Sequence, residues 1–247
     1  MTMAHVTTPQ LGALHEVLRT EAVGTAFQPI VQLDNGMVRG YEALARFERD
    51  HFANPAEAFA AATTAGFGVE LEQLAIRRAL LRLNDLPAGA WLSLNASVEA
   101  LLAPATVAML LAHAHRGLAV EVTEHVPVRD YGALGEVLDR LRAAGILIAV
   151  DDAGAGFASL SHILQLRPDI IKLDIGLTRD IDTDPVRIAL TRALVTFADS
   201  VGALLIAEGI ETYAEHEQLR SLGVRHGQGY YIAKPGALPS HHIEPLL

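Results

Sequence analysis

The chain has 247 residues, 51% of them hydrophobic, with no cysteine and a formal charge of −10. That length admits one large domain, an α/β barrel included, and the lack of cysteine excludes disulfides and thiolate metal sites. The acidic balance argues against long nucleic acids, leaving a small phosphate ligand possible if metal ions or local cations offset the repulsion.

The start, Met-Thr-Met-Ala-His-Val-Thr-Thr, lacks the basic-then-apolar pattern of a secretory signal. Apolar runs such as 201–207 fall far below the ~18 residues of a membrane span. The sequence therefore reads as a soluble, cytoplasmic protein. Residues 11–22 place Leu11, Leu14, Val17 and Leu18 on one helical face; residues 1–22 are read as an N-terminal helical extension and 23–247 as the barrel. Residues 26–33 form an extended run that closes on Asp34-Asn35-Gly36, a tight-turn signal. Tyr41-Glu42-Ala43-Leu44-Ala45-Arg46 then reads as the second arm of a hairpin, with a carboxylate and a guanidinium four residues apart.

Helices are predicted over 55–65 and 70–86. From there extended runs at 91–95, 118–123, 146–151, 169–172, 203–207 and 224–229 alternate with helical patterns at 104–116, 131–144, 159–166, 184–201 and 213–222. Gly145, Gly202 and Gly223 follow three of those helices as left-handed caps. Repeated strand–helix units mean a parallel sheet covered by helices. A TIM-type (β/α)8 barrel fits better than a doubly wound sheet, because no Gly-rich phosphate loop follows the first strand.

Polar residues gather where strands end. Asn95 ends Trp-Leu-Ser-Leu-Asn, Glu121 lies near the end of its run, Asp151 and Asp152 end the next, Lys172 and Asp174 the next, and Glu208 ends Ala-Leu-Leu-Ile-Ala-Glu with Glu211 beyond. Acids and Asn also cap helices and stop strands, so each alone has a structural explanation. Five successive strand ends of this kind point to a site at a barrel mouth. Residues two apart on a strand share a face, so Glu121 and Thr123 point together and Glu124 away, toward a neighbouring loop. An oxygen-only set of Glu42, Asn95, Glu121, Asp151, Asp152 and Glu208 suits Mg²⁺ or Mn²⁺. Two such ions clamp the oxygens of a phosphodiester under hydrolysis. Lys172 is read either as the residue that orients water or as an ion-pair partner of one of these acids, and Arg46 suits a phosphate oxygen.

These residues resemble the EAL family of cyclic di-GMP phosphodiesterases over about 25–235. Gln28-Pro29-Ile30-Val31 is similar to the family's opening strand and Glu42-Ala43-Leu44-Ala45-Arg46 to its naming motif. Ser93-Leu94-Asn95, Glu121-Val122-Thr123-Glu124, Lys172-Leu173-Asp174, Ala207-Glu208-Gly209-Ile210-Glu211, Gly227-Gln228-Gly229-Tyr230 and Lys234-Pro235 follow in the family's order. The resemblance implies α/β architecture, a modified TIM (β/α)8-type barrel with an antiparallel first strand. It implies two Mg²⁺ or Mn²⁺ on Glu42, Asn95, Glu121, Asp151, Asp152 and Glu208, and opening of cyclic di-GMP to linear pGpG. Lys172 would help activate water, with Glu211, Gln228 and Glu124 in support and Gln28, Leu44 and Arg46 on the substrate. It also implies a homodimer, with a separate regulatory protein as a further partner. Where the family writes D-D-F-G-x-G-Y-S-S-L, this chain has Ala153, Phe157 and Ala158. A loop stripped of a ring and two hydroxyls leaves a second reading open: a cyclic di-GMP receptor or protein-interaction module of weak or no turnover. A barrel enzyme of another class is opposed by the motif combination.

Overall fold

The computed structural model of the chain describes residues 6–48, 52–123, 130–153 and 163–238, with Asp152 and Ala153 described by their backbone alone. Eight strands close into a barrel in sequence order: β1 Gly24–Gln32, β2 Val38–Arg46, β3 Trp91–Ser97, β4 Leu118–Thr123, β5 Leu147–Ala153, β6 Ile170–Leu173, β7 Leu204–Ala207 and β8 His226–Gly227. β1 runs antiparallel to both neighbours, β2 and β8, and every other pairing is parallel. The expected barrel with its antiparallel first strand is therefore the fold. The β1–β2 hairpin turns at 33–35, with Gly36 at φ 69° and the Asn35 side chain accepting from the Met37 amide at 2.9 Å.

Helices cover the outside, the long ones at Gly68–Leu80, Tyr131–Ala143 and Pro185–Val201. Gly145, Gly202 and Gly223 all take positive φ, as read from the sequence. The predicted helix 104–116 starts at Pro104 as expected and resolves into Pro104–Ala112 and a 3₁₀ turn at Ala114–Arg116; a short helix, Val98–Leu102, precedes it and stops at Ala103, which takes ψ 121° before Pro104. The pattern at 70–86 likewise resolves into Gly68–Leu80 and a 3₁₀ turn at Leu83–Asp85. Of the pattern at 159–166, residues 163–166 are helical and 159–162 lie outside the described residues. Helix Thr8–Thr20 buries Ala13, Leu14 and Val17 in one cluster with Ala58, Ala62, Leu71 and Leu74. No helix among the described residues is long and apolar enough to cross a membrane.

The barrel interior is layered by the period-two alternation of its strands. Ile30, Ala119, Ala149, Ile170 and Ile206 make a dry middle layer, with Trp91 and Leu204 packed against it. Gly40 admits the Trp91 ring, since a Cβ there would stand 2.4 Å from the indole. One step further along the same faces, toward the carboxyl ends, the inward residues change character: Asn95 and Glu121 pair in register, Asp151 follows Ala149 by two, and Lys172 follows Ile170 by two. Glu208 and Gln228 complete the ring one residue beyond β7 and β8.

Candidate active site

Lys172 stands at the centre of this upper layer, 1% exposed. Its Nζ lies 2.6 Å from Glu121 Oε2, 3.4 Å from Glu42 Oε2 and 3.8 Å from Asp151 Oδ1, and it also contacts Glu208 Oε1. Burial alone would lower its pKa, but Glu121, Glu208, Glu42 and Asp151 outweigh that and hold it well above the ordinary lysine value. The ring of carboxylates thus favours the ammonium form of Lys172. Of the two sequence readings of this residue, the ion pair is present, and with four acids instead of one.

Glu42 is the best-satisfied carboxylate. Asn95 Nδ2 donates to its Oε1 at 3.0 Å, and Gln228 Nε2 donates to its Oε2 at 2.7 Å. Burial opposes its charge, yet Lys172, Gln228 and Asn95 together keep its pKa below the usual carboxylate range. Glu121 goes the other way: burial and then the nearby Glu42 charge push it up to about 7, against the pull of Lys172. Burial also raises Glu208 well above its usual value, Lys172 opposing and Asp151 adding to the rise. One ammonium cannot neutralise four carboxylates, so protons are retained where ionisation is worst compensated.

The donor set fits a hard divalent cation. It is all oxygen, and Glu121 Oε1 is buried without a hydrogen-bond partner among the described residues, as is Gln228 Oε1. Among the described residues no three acids already close around a common metal position. The ammonium of Lys172 draws them to itself, and an ion would take its place among Glu42, Asn95, Glu121, Asp151 and Glu208. The Asp152 side chain, Glu124 and the altered loop at 154–158 lie outside the described residues.

The remaining predicted residues sit around the rim. Gln28 pairs across from Glu42 in the hairpin, and its amide donates to Ala233 O at 3.2 Å. Arg46, at the exposed end of β2, donates to the neighbouring Ala45 O at 2.9 Å. Glu211 pairs with Arg179 at 2.6 Å and does not join the carboxylate cluster. Asp174 caps the short helix Ile175–Thr178 by accepting from Gly176 N at 2.7 Å, which is the structural role strand-end acids often have.

A cavity of about 980 Å³ adjoins the cluster and shares Asn95 with it. Leu44, Phe59, Val69 and Ile76 line it along with small residues such as Ala60 and Ala75, while Glu72, Ser97 and Thr123 add polar atoms. Glu72, half-buried on helix Gly68–Leu80, accepts from Ser97 N at 2.7 Å. Sequence reading missed Glu72. The one available signal was an acid set between Leu71 and Leu74 of an apolar stripe, and that pattern is common on ordinary amphipathic helices.

A profile of the EAL domain matches residues 12–235. A cyclic di-GMP phosphodiesterase of Pseudomonas aeruginosa is 33% identical over 233 residues, 87% of this chain and 40% of that protein, so the chain spans about two fifths of that relative's length. The EAL domain of Xanthomonas citri FimX, solved in complex with c-diGMP, superposes with a TM-score of 0.81 at 21% identity over 95% of this chain and 96% of that one, a likeness of fold. Klebsiella pneumoniae BlrP1, solved as a manganese/cy-diGMP complex, is 30% identical with a TM-score of 0.78 over 87% of this chain and 56% of that chain. Strand order, antiparallel β1 and a match from helix Thr8–Thr20 to the segment after β8 agree, and the chain belongs to the EAL domain family.

Proposed function

We propose that this chain is a metal-dependent phosphodiesterase that hydrolyses cyclic di-GMP to linear pGpG. The observation that carries the reading is the buried Lys172 ammonium inside a ring of Glu42, Glu121, Asp151 and Glu208 at the carboxyl ends of barrel strands. Such a ring is a poor way to stabilise a fold, because desolvating buried charges can cost more than their pairing returns. It is a sound way to hold cations against a phosphate.

Glu42, Asn95, Glu121, Asp151, Asp152 and Glu208 would hold Mg²⁺ or Mn²⁺, two ions on this reading; manganese in the BlrP1 complex supports that choice. Bound there, the ions supply Lewis acidity that lowers the pKa of water and offsets phosphate charge. The chain's own residues do the rest. Lys172 donates to the attacking oxygen or to charge building on the phosphoryl group, and Gln228 and Asn95 fix the orientation of Glu42. Water adds to phosphorus, the bond from phosphorus to the 3′ oxygen breaks, and the proton lost by water leaves with the 3′ oxygen as its hydroxyl.

The cavity beside Asn95 is of a size and apolarity that takes a nucleobase. There the half-buried Glu72 carboxylate matches the N1–H and N2–H donors of a guanine edge. Arg46 and Leu44 at the end of β2 would face the sugar-phosphate ring.

The full chain incubated with Mn²⁺ or Mg²⁺ and cyclic di-GMP should yield pGpG, and Glu42→Gln should abolish the product. Absence of product with either metal over a range of protein concentrations refutes the enzyme. The receptor reading draws on the ammonium already filling the centre of the ring. Metal-independent binding of intact cyclic di-GMP, without product, would decide for it.

A further inference from the structure

We infer that Glu215 is a positioning residue for this site, joining the loop after β6 to the loop after β7 so that Glu208 keeps its place against Lys172. Glu215 is the third residue of helix Tyr213–Ser221, is 3% exposed, and has no cation within ion-pair range among the described residues. Three backbone amides satisfy its carboxylate instead. Oε2 accepts from Glu211 N at 2.8 Å and Thr212 N at 3.0 Å, and Oε1 crosses to the neighbouring loop to accept from Asp180 N at 3.1 Å.

A helix cap alone would need less. In the other capping box among the described residues, Gln10 returns one oxygen to Thr7, at 3.0 Å from the amide, and turns its remaining polar atom to the Glu57 side chain. Glu215 spends its second oxygen on a different loop, the turn after helix Ile175–Thr178 in the connection that follows β6.

The segment from Glu208 to Thr212 is thus gripped from two sides. Toward β8, Ile210 N donates to Gln228 O at 3.1 Å and Tyr231 N to Ile210 O at 3.0 Å. A Cβ on Gly229 would fall 2.1 Å from Ile210 O, so that side is packed to contact. Toward β6, the sheet ladder ends with Glu208 N donating to Leu173 O at 3.2 Å. Beyond it stand the packing of Gly209 against Ile175, where a Cβ would fall 2.4 Å from the side chain, the Glu215 bridge, and the exposed Arg179–Glu211 pair, which contributes little. Removing the bridge takes away the buried polar tie on the β6 side, so the segment is held there by the Glu208–Leu173 bond and the Gly209–Ile175 contact alone and Glu208 loses support against Lys172.

The inference rests on the reading of Glu208 and Lys172 as site residues. Two variants of the full chain separate the bridge from the cap. Glu215→Gln replaces one acceptor oxygen by a donor and breaks one arm, whereas Thr212→Ala removes only the cap hydroxyl that Glu215 N meets at 3.2 Å. Glu215→Gln should lower kcat with Mn²⁺ and cyclic di-GMP about 10- to 100-fold, the range for a residue that orients a site ligand, with KM within twofold. It should also speed hydrogen exchange at the Glu208 amide without any ligand present. Thr212→Ala should leave both near wild type. Equal losses in the two variants, or wild-type kcat with unchanged Glu208 exchange in Glu215→Gln, overturn the inference. If the wild-type chain does not turn over cyclic di-GMP, the functional proposal fails. The Glu208 exchange of the two variants then decides the positioning role, and unchanged exchange in Glu215→Gln overturns it.

Discussion

Lys172 is the residue on which the site's charge balance turns, and its removal separates charge from packing. Lys172→Met keeps the aliphatic stem and leaves Glu42, Glu121, Asp151 and Glu208 facing one another. Stripping one partner from a buried ionic cluster costs about 3–5 kcal/mol, here moderated because Glu121 and Glu208 already favour protonation. For a domain of this size that corresponds to a fall in Tm of about 6–20 °C. Activity should disappear, and Mn²⁺ should raise the Tm of the variant more than that of the wild type, because the cation takes over the lost positive charge. A variant as stable as the wild type in EDTA would show that the ring is not an ionic cluster. The ingredients of this ring were legible one at a time: each acid sits at a strand end, and strand alternation assigns its face. Convergence of four of them on one ammonium was not, since it depends on barrel closure and on Lys172 crossing from β6 toward β4 and β2.

Among the elements, β8 is the weak seam. It has two residues yet pairs with both β1 and β7, and it carries Gln228 to Glu42. The sequence marks it as the faintest strand because Gly227 and Gly229 remove side chains where Ile210 presses in, a contact no periodicity reports. His226 lies within it, 9% exposed, its Nδ1 without a partner among the described residues. Burial, then Arg39 and Arg225, lower its pKa to about 4, with Asp34 opposing. The sign follows from linkage: the unfolded chain takes up this proton near pH 6.5 and the folded chain only near 4. The stabilisation is therefore complete above about pH 6.5 and is lost as pH falls toward 4. A 2.5-unit shift sets a ceiling of about 3 kcal/mol, and partial solvent contact reduces it to about 1–2. Between pH 7.5 and 5 the wild type should lose about 2–8 °C more in Tm than His226→Gln. Parallel profiles for the two proteins would remove His226 from the account.

At the scale of the whole molecule the sequence was most informative, because barrel architecture follows from the strand–helix rhythm and caps that need no tertiary knowledge. The cavity was least so: it exists because alanines on helices Pro55–Thr64 and Gly68–Leu80 leave space that larger residues would fill, and absent volume has no sequence pattern. Net charge, which says little about fold, makes a kinetic statement. The protein carries −10, and cyclic di-GMP carries one negative charge on each of its two phosphates. On the proposed function, the long-range field therefore repels cyclic di-GMP, while cations held at the mouth would attract it only at short range. Screening shortens the reach of the field from about 30 Å at 0.01 M salt to about 8 Å at 0.15 M. At saturating Mn²⁺, kcat/KM for cyclic di-GMP should accordingly rise severalfold between those ionic strengths, with kcat nearly constant, because only the encounter is affected. Replacing exposed acids far from the mouth, such as Asp199, by neutral residues should flatten that rise without changing kcat. A fall of kcat/KM with salt would mean that positive charge local to the mouth governs the approach, and would move attention to Arg46, Arg179 and Lys234.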